Sequence, residues 1–209
     1  FVLTDDRFVI SIADFANQSH FTFFDGAVLL PVRFGDVEGS TYYFEYEDSH
    51  ETVASGREKW GYPKKYANIS LEDDAHGARG AVTLNGETIF RIAVDFDEET
   101  DNGAWRDYKV YPHLQARAVS DIYGPSFSAF DIITRNTSKD YEPISKRFGK
   151  ASVELGSSIG IKGKTLDIVE MTAVPKVRPD QVRSLIRSMD LSHADSIVLL
   201  ATDLPTFSL

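Results

Sequence analysis

Apolar and polar residues alternate along much of this chain, which limits the folds it can adopt. Val, Ile, Phe, Tyr and Thr are frequent in these stretches, and a period of two predicts half-buried β-strands. The pattern is clearest from Arg79 to Asp95, where Asn85-Gly86 tolerates the positive φ angles of a two-residue hairpin turn. A second hairpin is predicted to pair Ala27–Phe34 with Ser40–Glu47 through a turn at Gly35–Gly39.

The remaining secondary structure is predicted to be short strands and one helix. Because the spacing of Val182, Leu185, Ile186 and Met189 is i, i+3, i+4 and i+7, we expect an amphipathic helix after Pro179 and Asp180. Six more strands are expected, near Arg7–Asp14, Glu51–Ser55, Leu114–Val119, Phe130–Thr134, Ala151–Leu155 and Thr165–Met171.

Many short strands and few helices predict a mainly β fold. Antiparallel strands leave exposed edges unless their sheet closes, so we expect a closed or nearly closed, barrel-like antiparallel sheet. A chain of 209 residues without a linker-like boundary is expected to form a single domain over residues 1–209.

Charge and composition exclude several classes of function. The net charge of −10 argues against nucleic acid and anionic membranes as partners, since both need a basic surface. No apolar run approaches the ~20 residues that cross a bilayer, so a soluble, cytoplasmic protein is expected. The chain has no cysteine, and its five histidines lack metal-ligand spacing. We therefore predict neither a metal nor a cofactor.

One segment, from Gly56 to Tyr66, places several charges among aromatic residues. Pro63 disfavours helical geometry at the residue before it, so the chain is expected to be extended at Lys64. Neighbouring side chains of an extended chain point to opposite faces, which predicts that Lys64 and Lys65 diverge. Two solvated lysines on a surface turn are the alternative interpretation.

A reactive lysine must lose its proton, although its ordinary pKa is about 10.4. Burial opposes the charged form and lowers the pKa of a lysine, and a nearby cation has the same effect. If Lys64 and Lys65 diverge, burial among Trp60, Tyr62 and phenylalanines is the expected cause of a lowered pKa at Lys64.

The same segment resembles the acetoacetate decarboxylase family. Gly56-Arg57-Glu58, followed without a gap by Tyr62-Pro63-Lys64-Lys65, is similar to the signature around that family's Schiff-base lysine, and the similarity extends from about Thr22 to Asp95. The resemblance implies that Lys64 is the nucleophile and that Lys65 tunes its pKa, and acetoacetate decarboxylase is itself a standard example of an enzyme with an activated lysine. It also implies a largely antiparallel barrel-like fold and a homo-oligomer.

The sequence departs from the family pattern near the expected site. Asp25 stands where the resemblance places a catalytic glutamate, and an ordinary Asp-Gly turn with Gly26 is an equal alternative for it. Val9 aligns with a further pocket glutamate of the family's decarboxylases. The family's N-terminal segment, with a substrate-binding arginine, would precede Phe1, so that segment is expected to be missing and carboxylate recognition is unassigned.

The resemblance implies a Schiff-base lyase that decarboxylates a β-keto acid such as acetoacetate through an imine on Lys64. Asp25 is the candidate for proton transfer, because a carboxyl group with a raised pKa suits that task. An aldolase–dehydratase acting on pyruvate-like keto acids through the same lysine is the first alternative. A barrel that only binds a small apolar or keto-acid ligand is the second. In each case the expected partner is a small molecule.

Overall fold

The computed structural model describes residues 1–5, 8–15, 22–96, 110–122, 127–136 and 147–156 in full, and residues 167–174 and 195–202 as backbone. These residues form thirteen strands and one helix. In chain order they are β1 (Val2–Leu3), β2 (Phe8–Asp14), β3 (Phe24–Phe34), β4 (Val37–Glu47), α1 (His50–Trp60), β5 (Lys64–Tyr66), β6 (Asn68–Asp73), β7 (Gly77–Leu84), β8 (Glu87–Phe96), β9 (His113–Ser120), β10 (Phe127–Arg135), β11 (Arg147–Leu155), β12 (Asp167–Val174) and β13 (Asp195–Thr202).

The strands form one mixed sheet, which confirms a mainly β fold and corrects the expectation of a purely antiparallel one. Their order is β10-β9-β4-β3-β2-β13-β12-β11-β8-β7-β6, with β1 paired to β3 and β5 paired to β4. Strand β4 runs parallel to both β5 and β9. Within the described residues, the two end strands β10 and β6 do not pair with each other, so the predicted closure of a barrel is not observed.

The segment Glu51–Ser55, predicted as a strand, lies inside helix α1. Ser49 caps the helix by accepting a hydrogen bond from the backbone N–H of Thr52, and Gly61 ends it in the left-handed conformation. These caps outweigh the short run of alternating residues on which the strand was predicted. The helix also explains the parallel pairing, because parallel neighbours need a crossover connection, which α1 supplies between β4 and β5.

Both predicted hairpins are confirmed. Asn85 and Gly86 join β7 to β8 with φ angles of 52° and 83°. The second hairpin is longer than predicted, since Phe34 pairs with Val37 and the turn narrows to Gly35 and Asp36.

Four of the other predicted strands match β2, β9, β10 and β11, and Thr165–Met171 corresponds to β12. The predicted helix at residues 182–189 lies outside the described residues. Within the part of the chain that is described, no helix is both long and apolar enough to cross a bilayer.

The main core lies on one face of β2 and β3, where β6–β8 fold over them. A Cβ at Gly26 would contact Val82 and would lie 3.3 Å from Cζ of Phe90, and one at Gly80 would lie 2.7 Å from Cδ1 of Ile12. The absence of these side chains therefore allows the two parts of the sheet to approach. The buried core consists of Phe8, Ile10, Ile12, Val28, Leu30, Val32, Tyr46, Ala67, Ala78, Val82, Ile89, Phe90, Ile92, Val94 and Leu114.

The opposite face of β2 and β3 carries a smaller buried cluster of Val9, Ala27 and Leu29. Adjacent residues of a strand point to opposite faces, so this cluster is separated from the main core by the sheet itself. The candidate functional residues lie on this second face.

Replacing Gly61 by alanine should destabilise the protein more than replacing Gly35. Both glycines have positive φ, but a Cβ at Gly35 would meet nothing within 4 Å, whereas one at Gly61 would lie 2.7 Å from the carbonyl oxygen of Ala116. We expect Gly35→Ala to cost about 1–2 kcal/mol of unfolding free energy, for backbone conformation alone. Gly61→Ala should cost about 2–4 kcal/mol, because overpacking adds to that term. Urea denaturation measures both, and equal losses would contradict the tight contact between α1 and β9.

Candidate active site

Strand register brings three carboxyl groups and one amine to the same face of the sheet. Asp25 of β3 pairs with Glu47 of β4, and Glu45 of β4 pairs with Lys64 of β5. Directly paired residues project to the same side, and residues two apart on a strand share a face. All four side chains are buried, with between 0% and 8% of their surface exposed.

A β-bulge adds an aromatic residue to this face. Val28 pairs with Phe44 but the next residue, Leu29, pairs with Tyr42, so Tyr43 is the extra residue. Phe44 packs against the main core, whereas Tyr42 packs against the smaller cluster with Leu29. The bulge therefore turns Tyr42 toward the carboxyl groups.

Lys64 is the charged centre of this group. Its Nζ donates a hydrogen bond to Oε1 of Glu47 and lies 3.4 Å from Oε1 of Glu45. The amine is 5.4 Å from the ring centroid of Tyr62 and 5.9 Å from that of Phe23. The side chain is thus enclosed by aromatic rings on one side and carboxylates on the other.

Helix α1 fixes the path of the lysine side chain. A Cβ at Gly56 would lie 2.5 Å from Cδ and Cε of Lys64, so only glycine lets this side chain cross the helix. Arg57 donates a hydrogen bond from Nη1 to the carbonyl oxygen of Lys64 at 2.9 Å. The glycine and arginine that precede the lysine in the sequence therefore both have a structural function.

Electrostatics corrects the prediction that burial lowers the pKa of Lys64. Burial does act in that direction, but the Coulomb attraction of Glu45, Glu47 and Asp25 is larger in sum, and it raises the pKa of Lys64 above its ordinary value. Aromatic neighbours alone would lower this pKa, but Glu45 and Glu47 reach Lys64 only through the pairing of β4 with β3 and β5. The resting amine is therefore protonated near neutral pH.

At Asp25 and Glu47, in contrast to Lys64, the effect of burial on the pKa exceeds the attraction of the opposite charge. Burial is the largest cause that raises the pKa of Asp25 well above its ordinary value, followed by repulsion from Glu45. Burial also raises the pKa of Glu47 to about 7, although Lys64 opposes this shift. Burial therefore favours the protonated form of Asp25, and Glu47 can gain or lose a proton near neutral pH.

The three carboxyl groups are close enough to hold a metal ion. One oxygen each from Asp25, Glu45 and Glu47 lies within 4.8 Å of the others. Lys64 contacts two of them, and burial raises the pKa of the third, Asp25, and so favours its neutral form. The geometry thus assigns Lys64 as the cation of this cluster.

A second polar group lies behind Tyr62. Its hydroxyl is 2.9 Å from Nδ1 of His113 and accepts a hydrogen bond from Nη1 of Arg135 at 3.3 Å. Burial raises the pKa of Tyr62 to about 12, and burial with repulsion from two cations lowers the pKa of His113 to about 3. Both side chains are therefore neutral at ordinary pH.

The structure brings two of the three predicted catalytic residues together. Lys64 and Asp25 share the buried face, but the Lys65 side chain is exposed on the other side of β5, as the predicted divergence requires. Val9, where the resemblance expects a glutamate, pairs with Leu29 in the smaller apolar cluster.

Sequence reasoning missed Glu45, Glu47, His113 and Arg135. Two glutamates within the aromatic run Tyr42–Glu47 were a usable signal, because acids are rarely placed in such a strand unless they are paired. His113 and Arg135 gave no local signal, since only the pairing of β9 with β10 makes them neighbours.

Comparison with known proteins agrees with the signature around the lysine. The family model described as acetoacetate decarboxylase (ADC) matches residues 2–180. The chain belongs to the acetoacetate decarboxylase family. Among curated relatives, the acetoacetate decarboxylase of Ralstonia nicotianae is 25% identical over 147 residues, which are 70% of this chain and 58% of that protein. The one from Burkholderia cenocepacia is 29% identical over 121 residues, which are 52% and 47% of the two chains. The matches span about half the length of these relatives.

Solved structures of the family have a similar fold. The acetoacetate decarboxylase of Legionella pneumophila has a TM-score of 0.59 at 15% identity, over 95% of this chain and 83% of that one. An acetoacetate decarboxylase-like enzyme from Sphingomonas wittichii RW1 has a TM-score of 0.58 at 15% identity, over 98% and 95%. The enduracididine biosynthesis enzyme MppR, complexed with pyruvate, has a TM-score of 0.54 at 12% identity, over 93% and 84%. At these identities the likeness establishes the fold alone.

Replacing Glu47 by glutamine should change how stability depends on pH. The pKa of Glu47 is raised to about 7 in the folded state, so its protonation favours folding. That contribution is full below the ordinary pKa of about 4.3 and is lost as pH rises through about 7. Glutamine stays neutral, so the variant does not lose stability in this way. The unfolding free energy of Glu47→Gln minus that of the parent should therefore increase as pH rises from about 4.3 to about 7, by on the order of 3 kcal/mol.

Urea denaturation between pH 4 and pH 8 measures this difference, with Glu58→Gln as the control. Glu58 is exposed on α1, and its replacement should change stability by less than about 0.5 kcal/mol throughout. A difference between Glu47→Gln and the parent that does not vary with pH would contradict the raised pKa.

Proposed function

We propose that this protein decarboxylates a β-keto acid such as acetoacetate through an imine formed on Lys64. The observation that carries the proposal is a buried amine in contact with two carboxylates, in a chain that belongs to the acetoacetate decarboxylase family. The family membership supports an enzyme of the lyase class, and the buried lysine supplies a nucleophile for it.

The reaction begins with a proton transfer inside the cluster. Lys64 is protonated at rest and cannot attack a carbonyl in that form. Its hydrogen-bond partner Glu47 has a pKa of about 7 and can accept the proton. The transfer replaces a buried ion pair by two neutral groups without changing the net charge of the site, and it is uphill because the carboxyl groups stabilise the charged lysine.

The neutral amine then adds to the ketone carbonyl carbon. One proton passes from the added nitrogen to the former carbonyl oxygen, a second reaches this oxygen from an acid, and the oxygen leaves as water, which gives a protonated imine. In a β-keto acid, the bond between the α-carbon and the carboxylate breaks, carbon dioxide leaves, and the electron pair moves toward the imine nitrogen to form an enamine. Protonation of the enamine carbon and hydrolysis release the ketone and return the amine.

Asp25 is our candidate for the general acid that protonates the departing oxygen. Burial and Glu45 raise the pKa of its carboxyl group well above the ordinary value, which favours the protonated form, and the group belongs to the cluster that holds the amine. A positioned acid of this kind contributes typically 10²–10⁴-fold to rate. Glu47 performs the complementary transfer to and from Lys64.

An aldolase–dehydratase on pyruvate-like keto acids is the second candidate. Its support is the similarity of fold to MppR complexed with pyruvate. The same protonated imine, formed on a pyruvate-type substrate, favours loss of a proton and carbon–carbon bond formation instead of loss of carbon dioxide.

A protein that binds a keto acid without reaction is the third candidate. The raised pKa of Lys64 favours it, because a protonated amine forms ion pairs and not imines.

Borohydride reduction in the presence of substrate should leave a permanent adduct on Lys64, since only an imine is reduced to a stable secondary amine. With acetoacetate, a decarboxylase leaves the isopropyl adduct of the ketone product and releases carbon dioxide. With pyruvate, an aldolase-type enzyme leaves an adduct that keeps the carboxylate. Peptide mapping by mass spectrometry identifies the modified residue and the adduct.

Lys64→Met should abolish the adduct, and Lys65→Gln should retain it. No adduct on the parent protein with any β-keto or α-keto acid, under conditions where butyrate or another carboxylate binds, would favour the non-catalytic alternative. An adduct on Lys65 would contradict the assignment of the nucleophile.

Replacing Lys65 by glutamine should shift the pH–rate profile by less than about half a pKa unit. Lys65 is exposed on the opposite side of β5 from Lys64, so solvent screens its charge from the amine. The profile is measured with the substrate that gives the Lys64 adduct. A shift near two units would mean that Lys65 tunes the nucleophile, as the resemblance to the family implies.

A further inference from the structure

Beside Lys64, one face of the β9–β10 hairpin presents hydrogen-bond donors. His113 pairs directly with Arg135 across the two strands, and Gln115 lies two residues from His113 on the same face. His113 and Gln115 are 6% and 3% exposed. We call these three residues the donor face.

Two donors of this face have no acceptor among the described residues. An arginine can only donate, so the Tyr62 hydroxyl that accepts from Arg135 is free to donate to Nδ1 of His113. Neutral His113 then carries its proton on Nε2, and this atom has no partner there. The Nε2 amide of Gln115 has none either, while its Oε1 accepts from Thr41 at 3.4 Å. A buried donor without an acceptor is costly, so these positions are suited to an acceptor from a ligand.

Arg135 supplies a positive charge to this face. Its guanidinium group lies 5.2 Å from the ring centroid of Trp60 and 5.8 Å from that of Tyr62. Within the described residues it forms no ion pair with a carboxylate. Nearby Arg117, in contrast, is paired with Asp131 at 2.6 Å.

The other described cations close to the site already have hydrogen-bond or ion-pair partners. Lys64 is paired with Glu45 and Glu47, and Arg57 is exposed and donates to the carbonyl oxygen of Lys64. A carboxylate that approached the three carboxyl groups would be repelled. The donor face is therefore the part of the site that is suited to an anion.

We propose that Arg135, with the Nε2–H of His113 and the amide of Gln115, forms the subsite that binds the carboxylate of the keto acid. This inference rests on the proposed function, because the carbonyl of the same molecule must reach Lys64. Both Nζ of Lys64 and Cζ of Arg135 lie within 6 Å of the ring centroid of Tyr62. Both charged groups therefore pack against the same aromatic ring, and the proposal requires that a short keto acid, with one methylene or none between carbonyl and carboxylate, reaches from one to the other beside it.

Arg135 acts in binding more than in the chemical step. Its bidentate fork matches the geometry of a carboxylate and orients it. In the transition state of decarboxylation the bond to the carboxylate is only partly broken, so the contact stabilises bound substrate and transition state to a similar extent. Loss of an interaction of this kind raises KM and leaves kcat nearly unchanged.

The test compares Arg135→Met with the parent, using acetoacetate and the uncharged methyl ketone 2-pentanone. We expect the variant to raise KM for acetoacetate by about 10- to 100-fold, which corresponds to the free energy of one charge-assisted hydrogen bond. The acetoacetate concentration that half-saturates borohydride trapping should rise by the same factor. Trapping of 2-pentanone should change by less than about twofold, since this ketone has no carboxylate. Arg135→Lys should fall between the two, because it keeps the charge and loses the fork.

Two further variants distinguish a loss of carboxylate binding from an effect on folding. Gln115→Met removes one donor and leaves the stacking of Arg135 on Trp60 intact, and it should raise the same KM by about 3- to 10-fold. Arg91→Met is the matched control, since Arg91 is an exposed arginine paired with Glu154 on β11, and it should leave both ketones unaffected. Equal losses for acetoacetate and 2-pentanone in Arg135→Met and Gln115→Met would overturn the subsite.

Calorimetric binding of butyrate separates this inference from the proposed function, because butyrate cannot form an imine. Binding to the parent that weakens about 10- to 100-fold in Arg135→Met supports the subsite even if Lys64 proves unreactive. If the imine forms but butyrate binds the parent and Arg135→Met equally, the lysine chemistry stands and the subsite is wrong.

Discussion

The contact between Lys64 and the carboxylates of Glu45 and Glu47 is the interaction on which the rest of the site depends. It joins strands β4 and β5 on a buried face, where an unpaired charge would be very unfavourable. Removing one member of a buried ion pair costs about 3–5 kcal/mol, because the other is left without compensation. The glycine that clears the path of the lysine and the arginine that holds its carbonyl oxygen both serve this contact. The groups proposed for the chemistry are therefore also groups that hold this part of the fold together.

Burial and charge compete at these groups, and the balance differs from one to the next. At Lys64 the attraction of three carboxyl groups exceeds the effect of burial, so the pKa is raised. At Asp25 and Glu47 burial exceeds the attraction of the lysine, so their pKa values are raised as well. The consequence is a site with protons available on both kinds of group near neutral pH. In the proposed mechanism, Lys64 is activated by moving its proton to a neighbouring carboxylate, and not by burial alone.

Local patterns predicted most of the fold. The alternation of residues and the Asn85-Gly86 turn predicted strands and hairpins correctly, because both depend on neighbours in the sequence. The helix α1 was missed because its caps at Ser49 and Gly61 were not weighed against a short alternating run. The parallel pairings of β4 were missed with it, since a crossover is visible only once the helix is known. The homo-oligomer stays a prediction from the resemblance.

The site was predicted in part, for a similar physical reason. Lys64 was predicted from a contiguous signature, and Asp25 from its aligned position. The carboxylates of Glu45 and Glu47 depend on non-local strand register, and Tyr42 reaches the same face through a bulge that alternation alone does not indicate. Without those carboxyl groups, the sequence argument gave the wrong direction for the pKa of the lysine.

A direct titration of Lys64 tests whether the carboxyl groups, and not burial alone, control its proton. Carbon-13 NMR of the lysine Cε atoms, assigned with Lys64→Met, measures this pKa in the parent and in the double variant Glu45→Gln/Glu47→Gln. We predict that the Lys64 signal of the parent does not titrate below the ordinary lysine pKa of about 10.4, and that it titrates at a clearly lower pH in the double variant. A parent pKa below the ordinary value, unchanged in the double variant, would contradict the account.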